Sequence, residues 1–276
     1  MKFAICNETY EGWSFEDQLA SAAELGYDGM EVAPFTLAKG AFDIDADRRK
    51  ELREQADAKG IHLTGLHWLM LGPDGLYLTS PDEKTRKFTI DYLHELIRLC
   101  ADIGGKTLVF GSPAQRNLLE GVSFDQAWEY AKTAFGSAAD VAGEKDVYLL
   151  MESLPAPECN FIQTLDDAMK MVDEVGHPNF QMMVDVKSMS AEGKPLDEMI
   201  LGVGDKLKYV HANDANRRGP GFGDTDFRPV LGALAQMGYE GYVSVEVFDY
   251  SPDPVTIARE SLNHLKTVLN EIQGSN

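Results

Sequence analysis

The chain has 276 residues, 44% hydrophobic and 25% charged, an ordinary globular composition at a length that one α/β barrel fills. Lys+Arg 25 against Asp+Glu 45 gives a formal charge of −20, which argues against nucleic acid and anionic membrane surfaces as partners. No apolar run approaches the roughly 20 residues of a membrane span, and MKFAICNETYEGW turns polar too early for a secretory signal, so a cytoplasmic protein is expected.

KFAIC is the first predicted strand, followed by a helix over SFEDQLASAAELG with Ser14 as N-cap and Gly26 at its end. GMEVAP is the second strand, and DADRRKELREQADAKG, opened by Asp45 and closed by Gly60, is its helix. HLTGLHW is the third, with a helix over PDEKTRKFTIDYLHELIRLCADIG that stops at Gly104. KTLVFGS is the fourth, and Ser123 caps the helix after it. VYLLMES, FQMMVDV, KYVHAN and YVSVEVF complete the strands, with Gly238 ending the helix between the last two. A helix from about Pro254 to Ile272 closes the chain and leaves GSN as a frayed tail. Eight strand–helix units without a linker predict a (β/α)8 TIM barrel, residues 1–276 forming a single domain; a doubly wound open sheet is the rival. Cys6, Cys100 and Cys159 lack CxxC spacing, so core positions are expected in place of a disulfide framework.

The site of a parallel barrel lies at the C-terminal ends of its strands. Strands five to eight end on Glu152, Asp185, His211 and Glu246, each at the edge of an apolar run where an unpaired charge is costly. Clustered carboxylates repel one another unless a cation sits among them, so one divalent metal ion is expected. Oxygen-rich ligation with one imidazole suits Mn2+ or Mg2+ and allows Co2+, Fe2+ or Zn2+. About two coordination positions stay open for adjacent oxygens of a hydroxy-carbonyl compound. His67 and Trp68 end strand three, Arg116 follows strand four, and Tyr10 and Trp13 follow strand one. These are candidate substrate contacts, by stacking or by charge.

The order Glu, Asp, His, Glu in MESLP, MVDVK, VHAND and SVEVF, followed by PGFGD and YEGYVSVE, resembles the sugar phosphate isomerase/epimerase family of xylose isomerase-like TIM barrels. The layout is most similar to D-tagatose/D-psicose 3-epimerases. The resemblance implies that Glu152, Asp185, His211 and Glu246 bind the metal and that the two glutamates move the proton. It also implies substrate contacts from Glu158 and Arg217. One departure is plain: those epimerases carry a second histidine three residues after the aspartate, where this chain has Ser188. Lys187 beside it reads as an exposed lysine, and GPGFGD as a loop folding over the site.

The expected reaction is proton abstraction beside the carbonyl of a sugar or keto-sugar, with a cation stabilising the enediolate and one glutamate returning what the other takes. A dehydratase or lyase acting on an inosose or keto-glycoside through the same enolate is the alternative. An endonuclease IV-like DNA repair enzyme is a remote one, since six histidines and a charge of −20 suit it poorly. The expected partner is a small carbohydrate, with no nucleic acid and no membrane; a homo-oligomer is left open.

Overall fold

Strands that are apolar along their whole length must be covered on both faces. The computed structural model, which describes residues 1–274, meets this with a closed parallel barrel in the order β1-β2-β3-β4-β5-β6-β7-β8. The strands are β1 (Lys2–Cys6), β2 (Gly29–Val32), β3 (His62–Leu66), β4 (Thr107–Phe110), β5 (Tyr148–Met151), β6 (Phe180–Asp185), β7 (Leu207–Ala212) and β8 (Tyr242–Val245). Between and after them run α1 (Phe15–Leu25), α2 (Ala46–Lys59), α3 (Glu83–Asp102), α4 (Phe124–Glu144), α5 (Leu165–Val175), α6 (Val186–Ser190), α7 (Leu196–Val203), α8 (Phe227–Gln236) and α9 (Pro254–Gly274). The barrel read from the sequence is therefore the fold. No helix among the described residues is long and apolar enough to cross a membrane.

Capping chemistry sets the helix starts as the sequence implied. Ser14 Oγ accepts the Asp17 N–H, Asp45 accepts the Arg48 N–H, and Ser123 forms a reciprocal capping box with Gln126. Gly26 ends α1 in the left-handed conformation, at φ 88°. Two details differ from expectation. The β6–β7 connection holds two short helices, α6 and α7, and α9 runs through Gly274, so the first residue of GSN is helical. Ser275 and Asn276 lie outside the described residues.

Backbone packing divides the chain into two compact units. The first comprises Met1–Glu31, Glu54–Thr64 and Met183–Asn276. In it β1 pairs with both β2 and β8, with Cys6 opposite Glu31, and β7 pairs with β8, with His211 opposite Ser244. Helix α8 packs on α7 and α9, and α1 on α9. The second comprises Val32–Arg53 and Gly65–Met182, where β4 pairs with β5 and α4 packs on α3 and α5. Cys6, Cys100 and Cys159 are all buried free thiols, as a core reading requires.

Candidate metal centre

Within the first unit, three of the predicted donors converge. β6 ends on Asp185, which also caps α6: its Oδ1 accepts the Ser188 N–H at 2.7 Å. β7 delivers His211, and Glu246 follows directly after β8. His211 Nδ1 lies 3.2 Å from Glu246 Oε2. Asn213, fully buried two residues past His211, ties the group together: its amide NH2 donates to Asp185 Oδ2 at 2.5 Å and to Glu246 Oε2 at 3.3 Å. The Asn213 side-chain oxygen Oδ1 accepts the backbone N–H of Lys187 at 2.9 Å, so the amide's orientation is fixed on both sides.

Two carboxylates that the sequence reading passed over belong to the same neighbourhood. Glu31, in β2, is fully buried, and its Oε2 lies 2.9 Å from His211 Nε2. Glu8, just past β1, is also buried. The signal that marked the candidate ligands, a charge inside an apolar run, was also present at Glu31 in GMEVAP. Burial opposes a charged His211, but Glu246 and Glu31 outweigh it and hold the imidazole well above its usual range. Burial, and then the charges of Glu31, Glu8 and Glu246, push the Cys6 thiol up, so it stays a donor, reaching Glu31 Oε2 at 3.4 Å. Buried carboxylates packed around one imidazole form a donor set of hard oxygens and a single nitrogen. That set fits a divalent cation of the Mn2+ or Mg2+ type.

Of the substrate candidates in this unit, Arg217 is exposed in a left-handed backbone conformation, φ 72°. Its N–H donates to Asp214 O at 2.8 Å, and its carbonyl accepts the Phe248 N–H at 2.9 Å. The guanidinium lies 5.2 Å from the centre of the Phe248 ring, and Lys187 Nζ lies 5.0 Å from the same ring. Lys187 is only 8% exposed, which corrects the expectation of a surface lysine. The glycine loop packs on its own residues and on α9. A side chain at Gly219 would strike Ser261 and one at Gly221 would crowd His264, both on α9. Thr225 N–H to Asp214 Oδ2 (3.0 Å) and Asn216 Nδ2 to Phe222 O (3.0 Å) tie the loop to itself. Gly219 and Gly221 thus give the loop room to pack on α9, and Gly221, at φ 86°, also uses the left-handed region open to glycine.

In the second unit, Glu152 follows β5 and is 7% exposed. Its Oε2 sits so close over Gly111 that any side chain there would collide with it. Arg116 is a correction. It was expected to reach substrate, yet it is fully buried, and its guanidinium donates to Glu152 O at 2.8 Å, Ile162 O at 3.2 Å and Phe110 O at 3.4 Å. Its Nε reaches Cys159 Sγ at 3.3 Å. It is a strut inside the Glu152–Ile162 loop, its donors satisfied by backbone carbonyls and the Cys159 sulfur. Glu158 is exposed on a turn of that loop. His67 is buried, and Trp68, at φ 51°, meets Phe35 edge-on with ring centres 6.4 Å apart. The other histidines stand elsewhere: His62 starts β3, His94 is on α3, His177 precedes β6 and His264 is on α9, which suits a multi-histidine zinc cluster poorly.

Residues 19–268 match the family model described as xylose isomerase-like TIM barrel. An L-ribulose 3-epimerase from Methylomonas sp. (strain DH-1) is 29% identical over 83% of this chain and 77% of its own. A D-psicose 3-epimerase from Ruminiclostridium cellulolyticum is 30% identical over 89% of this chain and 82% of its own. The crystal structure of a D-psicose 3-epimerase in the presence of D-fructose superposes with a TM-score of 0.84 at 23% identity, covering 98% of this chain and 99% of that one, and so shares the fold. With its strand ends arranged as they are and the family match spanning nearly its whole length, the chain belongs to the xylose isomerase-like TIM barrel family.

Proposed function

We propose that this protein is a divalent-cation-dependent sugar isomerase or epimerase, acting on a ketose or keto-sugar as the 3-epimerases similar to it do, with residues 1–276 working as one domain. The observation that carries this reading is the grouping of Asp185, His211 and Glu246 at strand ends, held in register by Asn213. Glu152, buried at the end of β5, is the fourth member of the ligand set by its place in MESLP. Mn2+ or Mg2+ is the proposed ion. When bound, such an ion supplies the positive charge that stabilises an enediolate.

The chain's own residues then have separate tasks. Glu152 and Glu246 move the proton at the carbon beside the carbonyl, one taking it and the other returning it. Asp185 and His211 hold position, and Asn213 keeps the Asp185 and Glu246 carboxylates oriented. Arg217, Glu158, His67 and Trp68 are the proposed substrate contacts, joined by Lys187 against Phe248. The test is proton NMR in deuterated buffer with D-psicose and L-ribulose, using protein stripped by chelation and reloaded with Mn2+. Deuterium should appear at C3, and Glu152→Gln and Glu246→Gln should each lose about 100-fold or more in turnover. Near-native turnover in both variants would sink the assignment. Loss of water or of a leaving group in place of epimer formation would move the protein to the lyases.

A further inference from the structure

We propose that Glu31, buried in β2, is a positioning residue that fixes which nitrogen of His211 is offered to the cation. An imidazole nitrogen can bind a metal only when it carries no proton, and the ring has two nitrogens to choose from. The choice is made by the hydrogen-bond acceptor that the other nitrogen meets. Here that acceptor is Glu31, whose Oε2 lies 2.9 Å from Nε2, while Nδ1 faces Glu246 at 3.2 Å. Glu31 and His211 are both fully buried, so water does not compete for the bond.

Glu31 is itself held in place. The Cys6 thiol donates to the same oxygen at 3.4 Å, and Cys6 is the register partner of Glu31 in the β1–β2 ladder. Ser244 Oγ lies 3.5 Å from that thiol, and Ser244 is the register partner of His211 in the β7–β8 ladder. Tyr209 closes the other side: its ring meets the imidazole edge-on with centres 5.8 Å apart, and its hydroxyl is pinned to Thr64 Oγ1 at 2.7 Å. Ring rotation is thereby restricted. The Glu31 carboxylate holds the proton on Nε2 and leaves Nδ1 as the donor, on the side where Glu246 stands. Its negative charge also makes Nδ1 a stronger donor.

The inference rests on the reading of His211 as a ligand, and the experiment separates the two. Mn2+ affinity of metal-free protein is measured by electron paramagnetic resonance for the wild type, His211→Ala, Glu31→Gln and Glu31→Leu, each checked by far-UV circular dichroism. Glu31→Leu should bind about 10- to 100-fold more weakly. Glu31→Gln, whose amide oxygen can still accept from Nε2–H, should lie between it and the wild type. In parallel, protein with 15N-labelled histidine, loaded with diamagnetic Zn2+, should show a slowly exchanging proton on Nε2 of His211. That signal needs no variant and does not depend on turnover, so it stands even if Glu31→Leu fails to fold. A proton found on Nδ1, or Glu31 variants binding Mn2+ within two-fold of wild type, overturns the proposal. If His211→Ala binds Mn2+ as the wild type does, the ligand reading fails and takes this inference with it.

Discussion

Replacing Arg116 by Met keeps most of the apolar stem and removes a fully buried guanidinium. The Phe110 carbonyl keeps the Glu152 N–H at 3.2 Å, and the Ile162 carbonyl keeps the Leu154 N–H at 3.3 Å. The Glu152 carbonyl loses its 2.8 Å bond to Nη1, and Ile162 O loses the 3.2 Å bond to Nη2. A hydrogen bond to a charged group contributes about 1.5–3 kcal/mol and a weaker second one about 1 kcal/mol, giving a gross loss of about 2.5–4 kcal/mol. Removing a buried charge returns part of its desolvation cost, so the net loss should be about 2–3 kcal/mol. Proteins of this kind have a total stability of about 5–15 kcal/mol, so urea unfolding followed by circular dichroism will resolve the change. Arg116→Lys, with one ammonium for several acceptors, should fall between Met and wild type. A loss within about 0.5 kcal/mol, the range of a neutral surface substitution, would refute the strut. A raised KM at unchanged stability would restore the substrate clamp suggested by its position after β4.

Gly111→Ala should push the Glu152 carboxylate out of place, since the new methyl group meets its Oε2; displacement of that order should lower turnover about 10- to 100-fold, read alongside Mn2+ affinity in a correctly folded variant. Asn213→Ala leaves Asp185 and Glu246 without their shared donor and should destabilise the fold by about 1–3 kcal/mol while weakening Mn2+ binding, measured by calorimetry. Gly219→Val should lower the melting temperature through its collision with Ser261; unchanged stability would return the glycine loop to the role of a free lid. In the second unit, burial alone pushes Glu95 up, but the guanidiniums of Arg49 and Arg98 outweigh it and hold the carboxyl below its usual range. A depressed native pKa contributes stability above the unfolded value of about 4.3, lost as pH falls through the native value. The melting temperatures of wild type and Glu95→Gln should therefore differ at pH 7 and converge in acid.

The sequence alone determined the barrel and picked out the candidate ligands, because both are written in local pattern. Apolar runs of strand length, caps such as Ser14 and Ser123, and a polar residue at the end of each late strand are properties of neighbours along the chain. Asp185, His211 and Glu246 were legible for that reason, and the structure brings them together. What only the tertiary structure decided depends on partners far apart in sequence. Arg116 and Glu152 are 36 residues apart, and nothing local says that the guanidinium turns inward to a carbonyl and not outward to substrate. Glu31 and His211 are 180 residues apart, so the partner of Nε2 becomes visible only when β2 and β7 face the same interior. The glycines after His211 gave no sign of which element they face, and only the fold shows Ser261 and His264 on α9 packed against Gly219 and Gly221. Pattern sets which side chains leave water; closure of the barrel sets which of them meet.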